Sequence, residues 1–186
     1  MEILLVILGI IVVLAFIIIG IYNRLVALRQ TSNQAWSDIE VQLKQRQDLV
    51  PQLVNTVKGY AKHEKETLNE VIQARNSAVS ANNVKGQAQA EGMLSAALGK
   101  LFALSEAYPD LKANENFLQL QDELSDVENK IAASRRFYNN AVQEYNTGRE
   151  QFPAVLFAGP FGFGEREFFE APEGRETLQI APTVEF

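Results

Sequence analysis

The apolar positions of this chain form two patterns, an unbroken run at its start and a helical stripe directly after it. Residues 3–22 carry no charge and are apolar almost throughout. A helix of about 20 such residues spans the hydrocarbon core of a bilayer. A cleaved signal peptide would have a basic start, a shorter apolar core and a small-residue cleavage site, whereas this chain starts with Met1-Glu2. The run therefore predicts a retained transmembrane helix with its ends at Ile3 and Tyr22.

Residues 23–60 carry a single apolar stripe whose steps are mostly of three or four, which places the apolar side chains on one face of a helix. Pro51 removes one backbone hydrogen bond but leaves the phase of the stripe unchanged, so a kink is favoured over a stop. A helix that ends at residues 48–51 is the alternative. One helix cannot bury this stripe alone, so the rest of the chain must supply packing partners. The stripe consists of Leu25, Leu28, Ala35, Trp36, Ile39, Leu43, Val50, Leu53, Val57 and Tyr60.

Three further helical stripes follow, and the sequence predicts some of the turns between them more clearly than others. Residues 59–65 predict a reversal, although the spacing also permits one helix as far as Ser80. Residues 82–86, with two asparagines and a glycine, are a better break. Residues 108–112 predict a turn, and Asn114 predicts the N-cap of the last helix. That helix has a heptad seam typical of coiled-coil packing: Phe117, Leu120, Leu124, Val127, Ile131, Ser134, Tyr138, Ala141 and Tyr145.

After Gly148 the composition changes to proline, glycine and phenylalanine, and residues 171–186 predict an acidic, loosely structured tail. If four helices alternate in direction, this segment returns to the membrane end of the bundle. A buried phenylalanine contributes about 1.5–3 kcal/mol, so the aromatic residues should be covered. Three surfaces could bury them: the open end of the bundle, the lipid interface and a groove of a neighbouring subunit. The candidates are Phe161, Phe163, Phe168 and Phe169.

The net charge and the numbers of cysteine and histidine residues argue against nucleic-acid binding, metal binding and catalysis. A net charge of −6 and a pI near 4.9 argue against a nucleic-acid partner. The chain has no cysteine and a single histidine, His63, and it lacks the Glu-x-x-His pairs of di-iron bundles. We therefore expect no catalytic residue, no metal and no cofactor.

Arginines on the apolar stripes are the most informative polar residues. Arg46 lies near the first stripe, Arg75 in the second and Arg135 beside the fourth. Such side chains can extend their charge to water along the edge of a bundle. The alternative is that Arg46 or Arg135 pairs with a carboxylate and fixes the register of the bundle.

Basic residues follow the apolar run closely, at Arg24 and Arg29, and none precedes it. The positive-inside tendency then predicts that the N-terminus lies outside and the C-terminal domain in the cytoplasm, with a single pass through the cell (inner) membrane.

Several sequence segments together resemble the LemA family of membrane-anchored bacterial proteins. The resemblance implies an N-terminal transmembrane helix, an antiparallel four-helix bundle and no established enzymatic activity. The segments are Tyr22-Asn23, residues 45–54 (QRQDLVPQLV), 57–61 (VKGYA), 108–114 (YPDLKAN), 134–139 (SRRFYN), and the Phe-Gly-Phe and Phe-Phe-Glu-Ala endings.

The predicted fold is all-α: a transmembrane anchor (residues 1–22), an up-and-down bundle of four helices (23–148) and a Phe/Gly/Pro-rich C-terminal segment (149–186). The predicted function is that of a non-enzymatic scaffold, held by membrane lipid through its first helix. Surplus helical stripes, confinement to two dimensions and the aromatic segment favour a homo-oligomer. A regulatory adaptor that presents its bundle to a membrane enzyme such as a protease is the alternative. A hydrolase is a third option, but the sequence contains no set of residues that would indicate such an active site.

Overall fold

The computed structural model describes residues 1–170, and every regular element within them is a helix. The predicted acidic tail, residues 171–186, lies outside the described residues. The prediction of an all-α fold with a long apolar N-terminal helix is confirmed. The helices are α1 (Glu2–Tyr60), α2 (Lys65–Ser80), α3 (Val84–Ser105), α4 (Pro109–Lys112), α5 (Glu115–Glu150) and α6 (Val155–Ala158).

The helix α1 continues without a break from the apolar run into the amphipathic stripe, over 59 residues that include Pro51. Of the breaks left open by the sequence, the one within residues 59–65 exists, because α1 ends at Tyr60 and α2 begins at Lys65. The break within residues 82–86 also exists. There Asn83 caps α3, and its Oδ1 accepts a hydrogen bond of 2.6 Å from the backbone N–H of Gly86.

The chain divides into two compact units, which are described separately. The first unit comprises residues 1–38 and 136–167, and the second comprises residues 39–135 together with residues 168–170. The predicted domain boundaries after residues 22 and 148 remain predictions.

The second unit is an up-and-down arrangement of four helices. Asn114, at the start of α5, donates from Nδ2 to the hydroxyl of Tyr60 at the end of α1 over 2.9 Å. Arg46, earlier on α1, pairs with Glu128, later on α5, so these two helices are antiparallel. The helices α2 and α3 are antiparallel as well, because Gln87 bonds to Ala78 near one end and Lys100 pairs with Glu70 further along. The predicted stripes form the core of this unit, with Ile39, Leu43, Val50, Leu53, Val57, Val71, Leu94, Leu101, Phe117 and Val127 all buried.

The helix α5 begins and packs as its sequence predicts. The backbone N–H of Phe117 donates to Oδ1 of Asn114 over 2.9 Å, which makes Asn114 the N-cap. Every member of the heptad seam is buried except Ser134, which is partly exposed. The seam is therefore the buried face of α5.

The first unit contains the apolar run and its continuation. Residues 3–20 are exposed, apart from partly covered Ile18, and their length and composition fit a membrane span. Beyond the run, Leu25 and Tyr145 form a buried cluster together with Ala154, Ala158 and Phe163.

The helices α1 and α5 approach each other closely at Gly148. A Cβ atom on Gly148 would lie 2.7 Å from Cδ1 of Leu28, so only glycine fits there without a shift of the leucine.

Candidate functional site

Buried and partly buried polar side chains, together with the exposed Glu128, form one connected group inside the second unit, which we call the polar network. It joins α1, α2, α3 and α5 through hydrogen bonds and ion pairs. Its members are Arg46, Gln47, Arg75, Gln87, Glu91, Ser95 and Glu128.

Arg46 is the centre of the network and is only 4% exposed. Its Nη1 donates to Oε2 of Glu91 over 3.2 Å, and its Nη2 donates to Oγ of Ser95 over 2.7 Å. The same Nη2 lies 3.0 Å from Oε2 of Glu128 on α5. A guanidinium suits this position because its fixed fork of donors can reach several acceptors at once.

Glu91 lies on the buried side of α3 and receives three donors. Nε2 of Gln47 and Nε2 of Gln87 both donate to its Oε1, over 2.9 and 3.1 Å, and Arg46 contacts the other oxygen. Burial raises the pKa of the Glu91 carboxyl, while the hydrogen bond from Gln47 and the charge of Arg46 oppose that rise. The carboxylate is thus buried, and its neighbours compensate its charge.

Pro51 explains the presence of Arg75 in the network. A proline has no N–H, so the carbonyl of the residue four positions earlier, Gln47, loses its helical hydrogen bond. Nε of Arg75 donates to that carbonyl over 2.7 Å. A side chain from α2 therefore satisfies the group that Pro51 leaves unpaired, and α1 continues through it.

An open cleft of about 360 Å³ lies beside Arg46 in the second unit. Both apolar and polar side chains line it, among them Ser95, Leu98, Phe102, Leu124 and Glu128. Within residues 1–170 no group of three or more His, Cys, Asp and Glu side chains could hold a metal ion. At the cleft, the hydroxyl of Ser95 and the carboxylate of Glu128 both contact Nη2 of Arg46.

The aromatic strap is the second candidate site. It comprises residues 152–167 of the first unit, and side chains of α5 hold its backbone. The hydroxyl of Tyr145 donates to the carbonyl of Gly164 over 2.8 Å, and that of Tyr138 donates to the carbonyl of Glu167 over 2.9 Å. Asn146 makes two bonds to the backbone of Arg166, one donated and one accepted. This irregular segment is thus fixed without regular secondary structure.

Phe163 is the anchor of the strap on α1. Its ring lies 5.5 Å from the ring of Tyr22, and the guanidinium of Arg29 lies 4.9 Å from its centroid. The preceding residue, Gly162, has a φ of 74°, a backbone conformation that favours glycine. The turn at Gly162 therefore directs Phe163 into the core of the unit.

The four candidate phenylalanines divide into two pairs. Phe163 and Phe169 are buried, at 1% and 3% exposure, whereas Phe161 and Phe168 are 47% and 36% exposed. Phe161 and Phe163 meet at the ring of Tyr22. The three surfaces named for these residues, the open end of the bundle, the lipid interface and a groove of a neighbouring subunit, remain predictions.

The predicted register residues also differ from each other. Arg46 pairs with two carboxylates, while Arg135 is partly exposed on α5. That either one fixes the register remains a prediction. The sequence interpretation missed Glu91, although Gln87, Glu91, Leu94 and Leu98 follow each other at steps of four, three and four. A carboxylate at such a position of an apolar face is the signal that could have found it.

A helix of membrane-spanning length that continues into a helical core defines a class of membrane-associated, all-helical proteins. Residues 35–186 match the model of the LemA family, and the chain belongs to that family. It is 23% identical to the magnetosome protein MamQ of Magnetospirillum gryphiswaldense, over 88% of this chain and 70% of that protein. It is 30% identical to the protein LemA of Metamycoplasma hominis, over 71% of this chain and 61% of that protein.

Proposed function

We propose that this protein is a non-enzymatic scaffold, anchored in the membrane by the start of α1, that acts by associating with further copies of itself. The observation that carries the proposal is the single helix Glu2–Tyr60, which contains both the apolar span and core residues of the second unit. The same helix thus belongs both to the span and to the core of the helical domain, which ties that domain to the bilayer.

The interior of the second unit supports a role without catalysis. Its buried charges, Arg46 and Glu91, bond to each other and to neighbouring side chains, so they contribute to the packing of helices. The relatives MamQ and LemA also carry names that refer to no reaction.

Exposed apolar side chains on α2 support self-association. Ile72 and Val79 lie seven residues apart on one face of α2, and both are exposed. A row at this spacing matches the seam by which helices of separate chains pack together. Confinement of the span to a membrane raises the effective concentration of the copies.

Cysteine crosslinking in native membranes tests the proposal, since the chain has no cysteine of its own. Val79→Cys should give a band of twice the mass of the chain, and Asp122→Cys, at an exposed polar position of α5, is the matched control. A single band of foreign mass at Val79→Cys would instead indicate the adaptor that presents its bundle to a membrane enzyme. Monomer alone, in both variants, would contradict association.

We expect the helical domain to face the cytoplasm of the cell and the N-terminus to lie outside the cell membrane. Arg24 and Arg29, directly after the span, support this orientation. Reporter fusions at the C-terminus should therefore give a cytoplasmic signal, and an exclusively external signal would reverse the orientation.

A further inference from the structure

The aromatic strap begins with an exposed apolar surface, residues 152–161, which we call the apolar tip. Phe152 and Leu156 are 80% and 59% exposed, and Val155 and Phe161 are about half exposed. Residues 152–164 contain no charged side chain. An uncharged surface of this kind on a folded protein marks a site of interaction.

The tip lies beside the end of the membrane span, within the same unit. The ring of Phe161 is 5.6 Å from the ring of Tyr22, the last residue of the apolar run. Ile21 packs against the cluster that contains Ala154 and Ala158. Tyrosines at the end of a span belong to the aromatic belt at the membrane–water interface, and so the tip is placed at the depth of that interface.

The partial covering of Ile18 agrees with this position. Ile18, Ile21 and Leu25 lie on one face of α1 by their spacing of three and four, and Ile18 is the only partly covered residue of positions 3–20 that the structure describes. The covered face of α1 therefore reaches into the span itself, and it is continuous with the face that the strap occupies.

Most backbone N–H groups of the tip have a partner within the protein, which lowers the cost of entering a medium poor in water. The N–H of Val155 donates to the carbonyl of Gln151 over 3.0 Å, and that of Ala158 donates to Ala154 over 2.9 Å. The N–H of Phe161 donates to Phe157 over 3.0 Å. Pro153 and Pro160 have no N–H to satisfy.

We propose that the apolar tip inserts into the lipid interface next to the span, as a second membrane contact of the first unit. Phe152, Leu156 and Phe161 enter the boundary between headgroups and acyl chains, as the apolar face of an interfacial helix does. The continuity of the tip with the span selects lipid as the occupant over a second copy of the chain. This inference rests on the membrane anchoring in the proposed function and does not depend on self-association.

Spin labels on single cysteines test the insertion in the full chain, reconstituted into vesicles of phosphatidylcholine and phosphatidylglycerol. Phe152→Cys and Leu156→Cys place labels on the tip at exposed positions, where the fold should tolerate them. Val12→Cys, within the span, and Gln143→Cys, at an exposed site of α5, are the references for lipid and water. Accessibility to oxygen, which concentrates in lipid, is compared with accessibility to a water-soluble nickel complex.

At Phe152 and Leu156 the ratio of oxygen to nickel accessibility should be several-fold above that at Gln143 and below that at Val12. A ratio equal to that at Gln143 would place the tip in water and overturn the inference. Low accessibility to both reagents would place it against protein, which identifies a second copy or another partner as the occupant and also overturns the inference. A water-like ratio at Val12 would refute the membrane anchor itself. The failure of the proposed function is therefore distinguishable from the failure of the tip to insert.

Discussion

Replacement of Arg46 by methionine removes the cation at the centre of the polar network while keeping a long, unbranched side chain. The change leaves Glu91 buried and without its ion pair, although Gln47 and Gln87 still donate to it. Ser95 loses the donor that reaches it over 2.7 Å. The main expected effect is therefore the cost of an uncompensated buried carboxylate.

The magnitude follows from the burial of the two partners. Arg46 and Glu91 have side chains that are 4% and 6% exposed, and removal of one partner of a buried pair costs about 3–5 kcal/mol. The contact with Glu128 adds little, because that side chain is half exposed and such pairs are worth about 1 kcal/mol or less. We expect Arg46→Met to lower the free energy of unfolding by about 3–5 kcal/mol at neutral pH.

Urea unfolding of the full chain in detergent micelles, followed by far-UV circular dichroism, measures this loss. Lys130→Met is the matched control, since Lys130 pairs with Asp126 on the surface of α5 over 2.6 Å. An exposed pair at this spacing contributes about 0.3–0.5 kcal/mol. The double variant Arg46→Met with Glu91→Gln should recover part of the loss, because the buried charge is then removed as well.

The dependence on pH gives the reasoning a second test. Burial already raises the pKa of Glu91, so the stability contributed by this group decreases as the pH rises through its folded-state pKa. Loss of the Arg46 charge raises that pKa further. The cost of Arg46→Met should thus be greatest near neutral pH and shrink toward about pH 4.3, the usual pKa of glutamate. A loss below about 1 kcal/mol, or one that does not change with pH, would refute the reasoning.

The remaining predictions concern the carbonyl of Gln47, the aromatic strap and Phe168, and all use the same unfolding assay. Arg75→Met should cost about 1–3 kcal/mol, since it leaves the carbonyl of Gln47 unpaired; an unchanged midpoint would mean that water replaces the guanidinium. Gly162→Ala should cost about 1–2 kcal/mol because of its positive φ, and a neutral result would indicate another backbone conformation. Phe163→Ser should cost at least about 3 kcal/mol and exposed Phe168→Ser about 1 kcal/mol, so equal losses would contradict the placement of these rings.

The helices were predictable from the sequence because their signals are local. The stripe through Ile39, Leu53 and Val57 became the buried face of α1, and Asn114 caps α5 as expected. Spacing of apolar residues and capping chemistry act within a few turns, so they can be read without a structure.

The polar network was only partly predictable, since its bonds join distant parts of the chain. The position of Arg46 suggested a carboxylate partner, and the apolar face of α3 could have singled out Glu91 as a buried acid. That the two residues, 45 positions apart, bond to each other follows only from how α3 packs on α1. Pro51 implied an unpaired carbonyl at Gln47, yet the identity of its donor, Arg75, follows only from how α2 packs on α1.

The sequence of the aromatic strap has a distinctive composition, but it has no periodic pattern from which its structure could be predicted. Tyr138 and Tyr145 belong to the predicted seam, and their rings are buried as expected, but their hydroxyls also bind the backbone of the returning segment. An irregular segment held by side chains has no repeat that a sequence pattern could show.

Counting the copies of the chain in native membrane tests the central claim of a self-associating, membrane-anchored scaffold most directly. The single cysteine of Asp122→Cys carries one dye per chain, because the chain has no other cysteine, and patches of membrane are isolated without detergent. We predict that most fluorescent spots bleach in two or more steps at low expression. Spots that bleach in a single step throughout, at complete labelling, would contradict the claim.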